Sequence, residues 1–333
     1  KALAELFVQV LKLAEKAGLV KLGHVALDGT KIKANASKHK AMSYDRMKKR
    51  EAELEAEVDR WLKAAEAADA EEDKLYGDQR GDEMPDWVAD KQKRLEKIRE
   101  AKAALEAEAK AAAEAESKAR AEAEDKRQAE GRKKTGKPPA PPKAEPDGKA
   151  QRNFTDPESR ILKTKDGYIQ GYNAQAAVDG AHQIIVAQTL TSSSSDQAQL
   201  APLLDGIRAN LGSNPDEVSA DAGYCSDANL RTIKRRRIEG YIATGRQKHG
   251  TKSATAQKAS RAGSLIARMS TKLKRAGYRS RYRLRKQIVE PVFGQIKQAR
   301  GFRQFLLRGI DKVKAEWALI CTAHNLVKLA RAA

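Results

Sequence analysis

The chain has 333 residues and a formal net charge of +20, with 5% aromatic and 33% charged residues. So few rings and so many charges exclude one core enclosing the whole length, and part of the chain must be solvated helix or irregular. Two cysteines far apart, with no CxxC pair, point to neither a zinc module nor a disulfide framework. No run of about 18 apolar residues offers a membrane span, so a soluble, cytoplasmic protein is expected.

The charge is unevenly placed. Arg231 to Arg303 carries 22 Lys and Arg against two acids, Glu239 and Glu290, and the rest of the chain sums to zero. A block this one-sided is the footprint of a polyanion partner, most simply nucleic acid. An acidic membrane surface is the competing partner, but "KRRRIEGYIATGRQKHG" shows no amphipathic helix of that kind.

In chain order, Leu3, Phe7, Val10, Leu11 and Leu13 fall near helical spacing and predict a helix ending near Gly18. "HVALDGTKIKAN" reads as strand, turn, strand around Asp28-Gly29. From about Ala41 to Glu130 the sequence is Ala, Glu and Lys-rich and helical by propensity. Gly77, Gly81 and Pro85 break it, predicting two long helices doubled back as an antiparallel hairpin. Residues 131–151 are a Pro-rich linker by composition.

Tyr168 to Val178 and His182 to Thr191 predict two strands turning at Asp179-Gly180. Ser195 or Asp196 suits the cap of a helix that Gly212 ends. "EVSADAGY" predicts a strand, "SDANLRTIKRRRI" a helix capped by Ser226 or Asp227, and "GYIATG" another strand. A basic, poorly periodic stretch and helices through "QIVEPVFGQIKQ" and "AEWALICTAHNLVKLA" follow. With the helical insertion set aside, the order gives an α/β fold, a ribonuclease H-like mixed sheet flanked by helices, with the long helical hairpin inserted after the first strand.

Asp28 and Asp221 each end an apolar strand run, and Glu290 is one of only two acids in the basic block. A local salt bridge to Arg285 or Lys286 would explain Glu290. Alternatively, the three converge to hold two Mg2+ ions, with Mn2+ able to substitute. Magnesium favours oxygen ligands and keeps waters, so a few carboxylates beside a substrate phosphate form a natural site. Asp179 and Asp196 are the main rival ligands, but a turn and a helix cap account for them.

"ALDGTKIKANAS", "SADAGY" and "YRLRKQIVEPVFGQIKQARGFRQFLLRG" resemble the three catalytic blocks of DDE transposases from bacterial insertion sequences, in the group with a Tyr-Arg-Glu-Lys signature. The resemblance implies cutting and joining of double-stranded DNA, with Asp28, Asp221 and Glu290 as the metal-binding triad. It points to Tyr282, Arg285 and Lys297 as donors to DNA, with Arg300 and Arg303 continuing the basic run. The signature places three residues between Arg and Glu where Arg285 and Glu290 have four, so Lys286 is the alternative to Arg285. Lys297, seven residues beyond Glu290, is expected on the same helix face.

"NFTDPESR" resembles a further block without a derived role. The resemblance also implies a nucleoid-associated homodimer in the DNA complex. Residues 1–20 then read as the remnant helix of an upstream region, and residues 21–40 with 152–333 as the catalytic core. The remaining segments, 41–130 and 131–151, are the helical insertion and its linker. A truncated or decayed, inactive relative is the alternative.

Overall fold

The computed structural model describes residues 2–76, 86–131, 140–164, 166–245, 263–276 and 281–332. The elements in order are α1 (Ala2–Lys16), β1 (His24–Lys33), β2 (Ala41–Ser43), α2 (Tyr44–Tyr76), α3 (Asp86–Ala129), β3 (Gln151–Asn153), β4 (Arg160–Thr164), β5 (Gly167–Asp179) and β6 (Ile185–Thr191). There follow α4 (Leu200–Leu211), β7 (Glu217–Ala220), α5 (Asp227–Arg235), β8 (Glu239–Ile242), α6 (Leu265–Ala276), α7 (Leu284–Gly294) and α8 (Ile310–Ala330). The chain divides into two compact units, one of Lys1–Ser37 with Glu158–Ala333 and the other of Lys38–Pro157.

The first unit is built on a six-stranded mixed sheet in the order β4-β5-β1-β7-β8, with β6 also paired to β5. β1 runs antiparallel to β5 and parallel to β7, and β8 continues the parallel half. A parallel partner needs a crossover, supplied by α4 between β6 and β7 and by α5 between β7 and β8. α4 buries Leu200, Leu203, Leu204, Ile207 and Leu211, the stripe expected of a helix packed on a sheet, and lies against β6. α8 packs on β6 and α1, burying Trp317 and Cys321, and its buried Asn325 side chain exchanges two hydrogen bonds with the backbone of Ile185, 2.8 and 2.9 Å.

Three details depart from the sequence reading. β1 is one uninterrupted ten-residue strand. Asp28 and Gly29 sit opposite Ala176 and Gln175 in mid-ladder rather than in a turn. The basic stretch contains a helix, α6, in part of what lacked clear periodicity, and β4 arises next to "NFTDPESR", whose Glu158 accepts a 2.5 Å hydrogen bond from the Ile310 backbone at the start of α8. Pro291 lies inside α7, where it cannot donate to the Gln287 carbonyl. That carbonyl accepts instead from the Gln183 side chain at 3.1 Å, so the lost helix bond has a replacement.

The second unit pairs β2 with β3 and brings α2 against α3. Met47 and Leu54 share a core with Leu95, Ile98, Ala101 and Leu105. The ion pairs Lys91–Glu57 and Lys102–Glu51, each 2.5 Å, set ascending α2 positions against descending α3 positions, so the helices run antiparallel. The alanine-rich end of α3 stays helical to Ala129. The expected break at Gly77 to Pro85 and residues 132–139 of the Pro-rich stretch lie outside the described residues.

Candidate active site

The parallel register between β1 and β7 ends at Leu27 opposite Ala220. Asp28 and Asp221 are the next residues on each chain path, and neighbouring strands are about 5 Å apart. Two carboxylates are thereby set side by side at the edge of the parallel ladder. Each is oriented by local backbone: the Gly29 N–H donates to Asp28 Oδ1 and the Gly223 N–H to Asp221 Oδ1, both at 2.8 Å. The Asp221 interaction is the cap of the 3₁₀ turn at Ala222–Tyr224, which explains why a strand residue gives way to an aspartate there.

Arg285, from the first turn of α7, donates through Nη1 to Asp28 Oδ2 and stands 5.9 Å from the Tyr282 ring centroid. Its side chain is only 11% exposed, so a buried cation sits against a largely buried carboxylate. Burial pushes the Asp28 carboxyl up to about 6, opposed by Arg285 and reinforced by the charge of Asp221. Burial likewise raises Asp221. Carboxylates forced together in this way favour a nearby cation, and their hard oxygens are the donor set a divalent ion takes.

The pH consequence has a definite sign. Well below about pH 4 the Asp28 carboxyl is neutral whether the chain is folded or unfolded. As pH rises toward 6 the unfolded carboxyl ionises first, so Asp28 subtracts stability across that window. An NMR titration of the cation-free protein should give an Asp28 midpoint near 6, and Arg285→Ala should move it higher. A midpoint at the ordinary carboxylate value of about 4 would remove burial as the controlling influence.

The other expected site residues are placed differently. Glu290 is exposed on α7 and makes no ion pair with Arg285, Lys286 or any other described residue. Among the described residues no three acidic, His or Cys side chains gather as a metal-ligand set. Lys286 is exposed. Lys297 donates to Thr30 Oγ1 at 2.9 Å and to the Lys31 carbonyl at 3.0 Å, tying itself to β1. It lies in a π-helical turn, Gln295–Ala299, so the α-helical spacing used to place it on the Glu290 face does not hold across that segment. Arg300 follows the π turn within electrostatic reach of Arg331, and Arg303 donates to the Lys297 carbonyl at 3.1 Å. Much of the basic block, residues 246–262 and 277–280, lies outside the described residues.

Sequence reasoning gave Asp196 to a helix cap, but its side chain makes no capping bond. Asp196 Oδ1 accepts from Asn173 at 2.7 Å and from Gln175 at 2.6 Å, beside Gly29 and Gly223. The signal in sequence was weak: polar Asn173 and Gln175 within a strand otherwise rich in alanine, where burial demands polar partners.

A mixed sheet that turns from antiparallel to parallel, with paired carboxylates at the end of its parallel ladder, is compatible with a ribonuclease H-like DDE domain. The family model described as "Transposase DDE domain" matches residues 142–326, and the chain belongs to that DDE transposase family. Comparison with curated proteins gives no match. The family implies an enzyme of transposition, acting on DNA and generally dependent on divalent metal ions. None of the described helices is long and apolar enough to cross a membrane.

Proposed function

We propose that the chain catalyses divalent-cation-dependent phosphodiester hydrolysis and strand transfer at insertion-sequence ends. The observation that carries this reading is the placing of Asp28 and Asp221 directly after the last register pair of the parallel β1–β7 ladder, with Arg285 already present as a compensating cation. Asp28 and Asp221 would hold two Mg2+ or Mn2+ ions, with Glu290 of α7 as the third carboxylate. Bound there, the cations activate the attacking oxygen and stabilise the leaving one. Asp28 must be ionised to take part, so cation affinity should rise with pH through about 6.

Arg285 carries a fork of donors suited equally to carboxylate and phosphate. With Asp28 neutralised by cations, its guanidinium is free to turn to a DNA phosphate beside Tyr282. Lys286, Arg300 and Arg303 supply further positive charge along the same segment, while Lys297 braces β1 at Thr30. The antiparallel α2 and α3 are proposed as a helical hairpin inserted into the catalytic domain, and the working complex as a homodimer on DNA.

Plasmid nicking tests the reading. Relaxation of supercoiled DNA with Mg2+ or Mn2+, abolished by EDTA, is expected. Binding without cutting in either cation would instead mark a non-catalytic DNA-binding chain.

Contacts from Lys and Arg to phosphate give salt-sensitive affinity without sequence preference, whereas discrimination needs base edges or DNA shape. Duplex affinity should therefore fall steeply as salt rises, with little preference between an element-end duplex and a scrambled one. Competition binding checks this. A hundredfold preference for the end, about 2.7 kcal/mol, would show that end recognition resides within these residues.

A further inference from the structure

The Asp196 carboxylate is held from one side only. Its Oδ1 accepts from Asn173 and Gln175, which are 1% and 0% exposed on β5. Gln175 is fixed in turn: its Oε1 accepts from the fully buried Tyr224 hydroxyl, and its backbone carbonyl accepts from Trp317 Nε1 at 3.1 Å. A buried polar network with its members satisfied in this way sets one orientation.

The other oxygen, Oδ2, takes no hydrogen bond from the described residues. A Cβ placed on Gly223 would lie 2.9 Å from Asp196 Oδ2 and 3.0 Å from Asp221 Oδ1, so both oxygens border the same small space. A Cβ on Gly29 would lie 3.0 Å from Asp196 Oδ1 and 2.2 Å from Gln175 Nε2. Gly29 thus requires glycine, because the buried Gln175 and Asp196 occupy the room a side chain would need, and at Gly223 a side chain would fit only if Asp196 Oδ2 moved. The charge of Asp196 is also felt at Asp28, Asp221 and Tyr224.

A negative group braced against two other carboxylates is costly unless positive charge compensates it. Arg285 pairs directly with Asp28 alone. We propose that Asp196 is a positioning residue of the cation site, adding a third negative charge to Asp28 and Asp221 and accepting through Oδ2 from water held by the bound cation. This rests on the cation-dependent reading above. It follows from the habit of magnesium and similar ions of retaining waters that neighbouring carboxylates accept from. Helix capping, which would make Asp196 purely structural, has no bond to support it.

Mn2+ binding to the full chain, followed by calorimetry or electron paramagnetic resonance, provides the test. D196N keeps an amide oxygen to accept from Asn173 and Gln175 but removes the charge. It should weaken Mn2+ about tenfold or more, the equivalent of about 1.4 kcal/mol, with the melting temperature in EDTA essentially unchanged. D205N, an exposed α4 aspartate paired with Arg236, should bind Mn2+ as the unmodified chain does.

Unchanged affinity in D196N, with D221N losing Mn2+, would overturn the role of Asp196 and leave the cation site standing. If D196N melts early, D196E decides. Restored charge with recovered affinity supports the assignment, and an equal loss in D196E overturns it. No saturable Mn2+ binding by the unmodified chain would overturn the cation site and this inference with it.

Discussion

D28N and D221N should each lower the rate of cation-dependent plasmid nicking by about 10³-fold while leaving duplex binding within a few-fold of the unmodified chain. The size follows from removing a preorganised electrostatic group from a site where charge develops, typically 10²- to 10³-fold or more, here compounded by weaker hold on the cations. The two carboxylates follow the last register pair of β1 and β7, so neither is a spare for the other. Asn keeps the shape and the backbone contacts at Gly29 and Gly223, and the melting temperature of D28N in EDTA reads separately the loss of the Arg285 partner. E290Q separates two arrangements. A comparable loss would establish Glu290 as the third member despite its exposed position on α7, whereas activity within tenfold of normal would remove it from the set.

Trp317→Ala should cost about 3–5 kcal/mol of stability, the range for deleting a large buried aromatic side chain. Trp317 is 0% exposed, and its indole N–H donates to the Gln175 carbonyl at 3.1 Å. Loss of both the volume and the donor leaves a cavity against β5 and removes a buried hydrogen bond. A melting temperature lower by roughly 10 °C is expected for a unit of this size, measured by calorimetry in EDTA. Because Gln175 orients Asp196, Mn2+ affinity should fall in the variant at temperatures where it remains folded. Trp317→Phe, which keeps most of the volume, should lose much less stability. Equal melting of Trp317→Ala and the unmodified chain would contradict the buried placement of Trp317 against the β5 backbone.

The parts of this structure legible in sequence were those with local causes. The strand patterns of β5 and β6, the Gly212 C-cap of α4, the Ser226 N-cap of α5, and Asp221 at the close of an apolar run all follow from periodicity and side-chain chemistry within a few residues. Asp28-Gly29 misled because that dipeptide is a turn signal by composition. In the fold, Gly29 is demanded by the Gln175 and Asp196 side chains, supplied from residues far along the chain. α6 went unread inside the basic stretch although Leu265, Ile266, Met269 and Leu273 recur at helical spacing. The contact of Arg285 with Asp28 spans 257 positions, and no local pattern encodes it. The family signature pointed to Arg285 without indicating that its first partner is a carboxylate. Asp196 failed for a related reason: an aspartate before a helix has a ready local role, and only the buried amides of β5 show that it serves the neighbouring strand ends instead.

Anomalous diffraction from crystals soaked in Mn2+ tests the central assignment most directly. The account predicts a Mn2+ peak bounded by the carboxylates of Asp28 and Asp221, with the Arg285 guanidinium no longer paired to Asp28 and Asp196 Oδ2 facing water on the ion. A crystal saturated with Mn2+ in which Arg285 still holds Asp28, and no ion lies between Asp28 and Asp221, would contradict it.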